Sequence, residues 1–147
     1  MAAVAAVLKI RTTPSPLVLA SGLHGGGGAS RNGQEWIPTG CLCGALAAGV
    51  LAIGILYGTE EPAPKGQQGC ASQVAGLLHR RFQEEMGAKC CNLIRPFQKK
   101  TGEENSCKAV YRRGAELTVD VLLSAPDLLP DCGMPGSLRR LMVKGKK

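Results

Sequence analysis

Seven cysteines, at positions 41, 43, 70, 90, 91, 107 and 132, are the residues in this 147-residue sequence whose type and grouping support chemistry. Cys41 and Cys43 form a Cys-x-Cys pair, and Cys90 and Cys91 are adjacent. Three or four thiolates gathered in space suit an iron–sulfur cluster or a tetrahedral zinc ion. Two nearby thiols suffice for cycling between dithiol and disulfide. No Cys-x-x-Cys occurs, so a zinc ribbon, a thioredoxin-like site and a c-type haem attachment have no support. Taken one at a time, a cysteine is more often a small buried hydrophobe than a ligand. A chemical reading therefore depends on elements that bring these residues together.

Other chemistries find little material. His24 and His79 are the two histidines, too few for a His-rich metal site or a Ser-His-Asp arrangement. Of the two, His24, within a glycine-rich stretch, is the one to watch as a ligand, whereas His79 beside Arg80 and Arg81 is expected to be exposed. Glu60-Glu61, Glu84-Glu85 and Glu103-Glu104 are adjacent doublets, and adjacent residues do not face a common site on a helix. Aromatic residues make up 3% of the chain and stand singly, leaving no platform for stacking bases. Gly25–Gly28 is not followed by Gly-Lys-Ser/Thr, so it is no Walker loop.

The elements that must position the cysteines read as helices. Ala2–Ile10 is alanine-rich and stops at Thr12-Thr13-Pro14, with Leu17–Ala20 adding a turn. Gly22 to Gly40 reads as a loop. Cys41–Tyr57 forms a helix apolar on all sides, closed by Gly58. A third helix runs from about Gln67 to Met86, with Val74, Leu77, Leu78, Phe82 and Met86 on one face and Gly87 as its cap. The last begins after Asn105 or Ser106 and carries Val110, Gly114, Leu117 and Val121 at helical spacing. Cys70 and Cys107 each lie one turn before these stripes and are expected to face inward. The expected architecture is all-α, a bundle of about four to five helices over residues 1–125. A basic tail over 126–147, punctuated by Pro126, Pro130 and Pro135, is expected to be loosely ordered. In such a bundle the start of one helix and the end of an antiparallel neighbour share a pole. Cys41, Cys43, Cys90, Cys91 and Cys107 all fall at such ends, where free N–H groups favour thiolates.

Composition bounds the setting. Hydrophobic residues are 44% and charged residues 20%, enough for a core. Five of the seven net positive charges lie in residues 133–147 (Arg139, Arg140, Lys144, Lys146 and Lys147), so the body is nearly neutral and a nucleic-acid partner is not expected. An odd cysteine count without a secretory signal points to a reducing, cytoplasmic setting. No charge occurs from Trp36 through Thr59, yet Gly44, Gly49 and Gly54 interrupt the run and no basic flank brackets it. A buried helix is expected there rather than a membrane span.

The run Gly40-Cys41-Leu42-Cys43-Gly44-Ala45-Leu46-Ala47-Ala48-Gly49 resembles the central motif of the redox-active C-GCAxxG-C-C family, which shares a region with split-Soret cytochromes. Gly54-Ile55-Leu56-Tyr57-Gly58 resembles the end of the same family helix, and Ala20 to Gly28 its glycine-rich approach. Gly87-Ala88-Lys89-Cys90-Cys91-Asn92-Leu93 is similar to the third cysteine element, and Cys107-Lys108-Ala109-Val110 to the fourth. One departure stands out: family members carry a first cysteine before an Ala-Val-Leu run, and here no cysteine precedes Ala6-Val7-Leu8. Gly69-Cys70-Ala71 echoes the motif without its second glycine, Val74 standing in that place.

The resemblance implies a redox or electron-transfer role. It implies an iron–sulfur cluster held by Cys43, Cys90 and Cys107, with Cys41 or Cys91 in fourth place, a redox partner protein, and no haem. Two other readings stay open: a metal-free dithiol protein, with Cys41/Cys43 favoured over the strained vicinal pair, and a non-redox structural or adaptor bundle, zinc-stabilised or with cysteines as core filler. A membrane-attached subunit is the least expected, and self-association into a homo-oligomer is compatible with each.

Overall fold

The computed structural model describes residues 23, 29–32, 35–38, 41–59, 69–95, 107–136 and 139. Its elements are β1 (Ala29–Asn32), β2 (Glu35–Pro38), α1 (Gly44–Tyr57), α2 (Cys70–Met86) and α3 (Cys107–Leu128). A short helical turn over residues 91–95 follows α2, and a 3-10 turn, Pro130–Cys132, follows α3.

The three helices pack against one another in an order their glycines make legible. A Cβ on Gly49 of α1 would lie 2.5 Å from Thr118 Oγ1 and 2.6 Å from Leu78 Cδ2. A Cβ on Gly114 of α3 would lie 3.0 Å from the Cβ of Ala45 and 3.4 Å from Phe82 Cε2. Residues 45, 82 and 114 thus form one layer, and 49, 78 and 118 the next. Numbers rise together in α1 and α3 and fall in α2. Hence α1 and α3 run parallel, and α2 runs antiparallel between them.

Side-chain spacing explains the pattern. Val74, Leu78, Phe82 and Met86 recur every fourth residue of α2 and are buried, so they form one stripe. Gly87, at φ 71°, ends the helix in the left-handed region that glycine enters without strain. In α3, Val110, Gly114, Leu117, Thr118, Val121, Leu122 and Ala125 face inward. Thr118 satisfies its buried hydroxyl by donating to Gly114 O at 2.7 Å. On the surface, Arg113 of α3 reaches Glu85 of α2 at 2.7 Å, an exposed pair of small energetic weight.

Several expectations change here. The helical reading holds, with three helices among the described residues rather than four to five. The expected helix Ala2–Ile10, the turn Leu17–Ala20, the Gly25–Gly28 run, His24 and most of the basic tail lie outside the described residues. Within the expected Gly22–Gly40 loop, β1 and β2 pair antiparallel, with Ala29 opposite Pro38 and Asn32 opposite Glu35. Strands of four residues are too short to declare a period of two, although Asn32-Gly33 is a known hairpin signal. α1 begins at Gly44, three residues later than expected, because Cys43 has extended backbone (φ −61°, ψ 131°). No described helix is long and apolar enough to cross a membrane.

The largest correction concerns residues 126–136. Pro126 lies inside α3, which continues to Leu128. Leu129, Cys132 and Met134 then pack against the core, and Cys132 forms a disulfide with Cys70. An odd cysteine count left room for one bridge. Cys70 opens α2 and Cys132 follows α3, so both lie at the pole opposite Cys90.

Two stability outcomes follow. Gly49→Ala is expected to lower unfolding free energy by about 1–3 kcal/mol, since its methyl meets Thr118 and Leu78. Cys70→Ser, which opens a crosslink spanning 62 residues, is expected to cost up to about 4 kcal/mol by loop-closure entropy. Urea unfolding measures both; unchanged midpoints would contradict the packing and the crosslink respectively.

Candidate functional site

The five remaining cysteines are free thiols, and local structure brings them to one pole. The backbone N–H of Cys43, just ahead of α1, donates to Lys89 O at 2.7 Å, just past α2. That bond lays residues 41–43 alongside residues 89–91. Cys41 Sγ and Cys90 Sγ consequently approach to 3.2 Å, within hydrogen-bonding range for sulfur. Cys41 is exposed and Cys90 is buried, at 6% exposure.

The two thiols are unequal. Cys90 is the cap residue of the turn over 91–95: its carbonyl accepts from Leu93 N and Ile94 N, both at 2.9 Å. Its pKa falls below the ordinary thiol value, first because Cys41 donates to it, then because the N–H groups of Asn92 and Leu93 point at its sulfur, against the opposing effect of burial. The Cys41 pKa rises, first through that same hydrogen bond and then through the charge on Cys90. A thiol at Cys41 donating to a thiolate at Cys90 is the arrangement these directions favour.

Cys43, Cys91 and Cys107 form a second group. Cys91 is pushed up to about 11, foremost by burial and then by Cys43, with the N–H of Gly44 at the start of α1 pulling the other way. Cys91 is therefore held as a thiol at neutral pH. Tyr111, one turn along α3 from Cys107, is raised by burial and then by Cys107, Cys43 and Cys91. Arg95 Nη2 donates to Cys107 Sγ at 3.8 Å.

The expected convergence of helix ends is thus found, and Cys41, Cys43, Cys90, Cys91 and Cys107 share it. The pairing differs from the expected one. Cys41 meets Cys90 rather than Cys43, because the Cys43–Lys89 backbone bond lays residues 41–43 against residues 89–91. Cys107 is exposed rather than inward-facing, since it begins α3 ahead of the first buried position, Val110. His79 is half-buried rather than exposed, its pKa lowered by burial and then by Lys89. Arg95 and Tyr111 were not legible as neighbours of the thiols. Tyr111 had a signal, standing four residues after Cys107 on the same helix; Arg95 had none.

As donors, five thiols have the right chemistry for zinc or an iron–sulfur cluster. Their geometry does not match a single ion, because no group of three His, Cys, Asp or Glu among the described residues comes together to hold one.

Residues 2–121 match a family described as "Putative redox-active protein (C_GCAxxG_C_C)". The chain belongs to this family. The match spans α1, α2 and most of α3, and so includes every free thiol. The disulfide partner Cys132 lies beyond it. No curated protein and no solved structure matches the chain.

The unequal pair predicts a pH profile. Thiolate is the reactive form, so alkylation rises with pH through the pKa of the reacting sulfur. In Cys41→Ala, which removes one donor to Cys90, the Cys90 midpoint is expected to move up relative to wild type. In Cys90→Ser, the Cys41 midpoint is expected to move down toward the ordinary value of about 8.5. Site-resolved alkylation by mass spectrometry checks both; unmoved midpoints would remove the hydrogen bond between them.

Proposed function

We propose that this protein exchanges two electrons with disulfides through Cys41 and Cys90, cycling between dithiol and disulfide. The 3.2 Å contact between the two sulfurs carries the reading, and membership of a redox-active family agrees with it. The substrate class is an accessible disulfide, RS–SR, of a small molecule or a partner protein.

The chemistry balances as follows. Exposed Cys41 Sγ attacks one sulfur of RS–SR while its proton passes along the hydrogen bond to Cys90. The substrate S–S bond breaks, the first RS⁻ leaves, and it takes the proton from Cys90 to become RSH. The N–H groups of Asn92 and Leu93 stabilise the Cys90 thiolate so regenerated. That thiolate attacks Cys41 Sγ in the mixed disulfide, and the second RS⁻ leaves, taking a proton from water. The pair gives up one proton and two electrons, water supplies the second proton, and the substrate becomes two RSH. Reduction of the protein disulfide by a dithiol reverses these steps.

An iron–sulfur cluster on Cys43, Cys90 and Cys107 with Cys41 or Cys91, as the resemblance implies, would engage both members of this pair. A cluster would supply one-electron chemistry. The dithiol reading is preferred because Cys41 and Cys90 already satisfy each other.

Glutathione disulfide, at one equivalent to reduced protein freed of metal by chelation, tests the proposal. Wild type is expected to release two glutathione molecules and give the Cys41–Cys90 peptide. Cys90→Ser is expected to release one and retain the other on Cys41. Cys41→Ser is expected to react at least about tenfold more slowly at Cys90, whose access is restricted by burial. Two molecules released by Cys90→Ser at the wild-type rate would overturn the assignment. So would iron and sulfide in anaerobically purified wild type that Cys41→Ser or Cys90→Ser removes.

A further inference from the structure

The two cysteines of the disulfide, Cys70 and Cys132, are half-buried at the edge of the core rather than sealed within it. Cys70 is the first residue of α2, a helix of 17 residues whose first turn holds no carboxylate and whose N-cap, Gly69, provides no side-chain cap. The free N–H groups at such a helix start stabilise a thiolate. A disulfide opens faster when the sulfur that leaves is the better stabilised one. Cys132 ends the 3-10 turn Pro130–Cys132. The backbone bonds of its segment are short-range: Leu129 N–H donates to Ala125 O at 2.8 Å, Cys132 N–H to Leu129 O at 2.9 Å, and Gly133 N–H to Pro130 O at 3.2 Å. None of these three bonds reaches α2, so the crosslink is the covalent hold of this segment on that helix. Leu129, Cys132 and Met134 nevertheless lie against the core. Cys132 also falls outside residues 2–121, the part of the chain that matches the family.

We propose that Cys70–Cys132 is a second exchange site, a latch that a dithiol opens to release residues 129–134 from the core. The reductant class is an accessible dithiol, R(SH)2, of a small molecule or a partner protein. One thiolate of the dithiol attacks Cys132 Sγ, the S–S bond breaks, and Cys70 leaves as a thiolate at the start of α2. The second thiol of the reductant, once deprotonated, attacks the reductant's own sulfur in the mixed disulfide, and Cys132 leaves as a thiolate. The reductant ends as a disulfide, having lost two electrons and two protons. The protein gains both electrons, and the two thiolates take up two protons through water. The length of α2, about 25 Å, separates this site from Cys41 and Cys90. That pair therefore cannot open the latch of its own chain. Opening leaves Leu78 against Gly49 and Phe82 near Gly114, so the bundle keeps its layers while the segment after α3 comes free.

Dithiothreitol treatment of the full chain without denaturant tests this directly, with N-ethylmaleimide as quench and mass spectrometry of the peptides that hold Cys70 and Cys132. Reduction is expected at a rate within about a hundredfold of that in the urea-unfolded chain. A slower rate would mean that the bond opens only when the bundle unfolds, and would overturn the inference. With 2-mercaptoethanol, a monothiol, the mixed disulfide is expected on Cys132 with Cys70 free, and the opposite placement would overturn the assigned leaving group. Hydrogen exchange then reads the release. In the reduced protein the amides of residues 131–134 are expected to exchange at least about tenfold faster than in the oxidised protein, while those from Val74 to Met86 stay protected. Unchanged exchange at 131–134 would overturn the latch, and so would loss of protection from Val74 to Met86, which would make the bond a staple for the whole fold. Cys41 and Cys90 enter neither readout, so this inference and the proposed function fail separately.

Discussion

One backbone hydrogen bond, from Cys43 N–H to Lys89 O at 2.7 Å, fixes the relation on which the site depends. It joins the entrance of α1 to the exit of α2, two segments 46 residues apart in the numbering. Because both segments are short and lie side by side, one bond sets the placement of their neighbours. Cys41 comes against Cys90, and Cys43 and Cys91 fall into the second group. The bond in turn requires α1 and α2 to be antiparallel and close. That closeness rests on Leu78 seated against Gly49, and Phe82 near Gly114. The chemistry at the pole therefore inherits its precision from glycines one to three turns inside the bundle.

Sulfur is used in two ways, separated by the length of α2, about 25 Å for 17 residues. At one pole Cys70 and Cys132 staple the end of α3 to the start of α2. At the other, five cysteines remain as thiols, and their environments differ. Cys90 sits where backbone N–H groups converge, Cys91 where burial opposes charge. The same residue type is thus divided into a crosslink, an ionisable pair and, at Cys91, a thiol held in the neutral form by its surroundings.

Much of this was legible in the sequence, and what was not has physical reasons. The spacing of Val74, Leu78, Phe82 and Met86 announced α2, and Gly87 announced its end. Placing cysteines at helix ends was enough to foresee their gathering at a pole. It was not enough to choose partners, because partner choice depends on register, and register was set by a backbone bond that any residue type can make. The Cys70–Cys132 crosslink was not foreseen, because Pro126 suggested that α3 had ended before Cys132. A proline in the last turn removes only one hydrogen bond, and burial of Leu122 and Ala125 keeps that turn helical.

The most direct measurement of the central claim is an equilibrium redox titration of the whole protein, with the oxidised fraction of Cys41 and Cys90 read by mass spectrometry. A disulfide couple gives a slope of about 30 mV per tenfold change in the ratio of oxidised to reduced protein, whereas a one-electron centre gives about 59 mV. The account predicts the two-electron slope, with Cys41 and Cys90 lost together as one crosslinked peptide. A one-electron slope, or oxidation that leaves Cys41 and Cys90 as separate thiols, would contradict it.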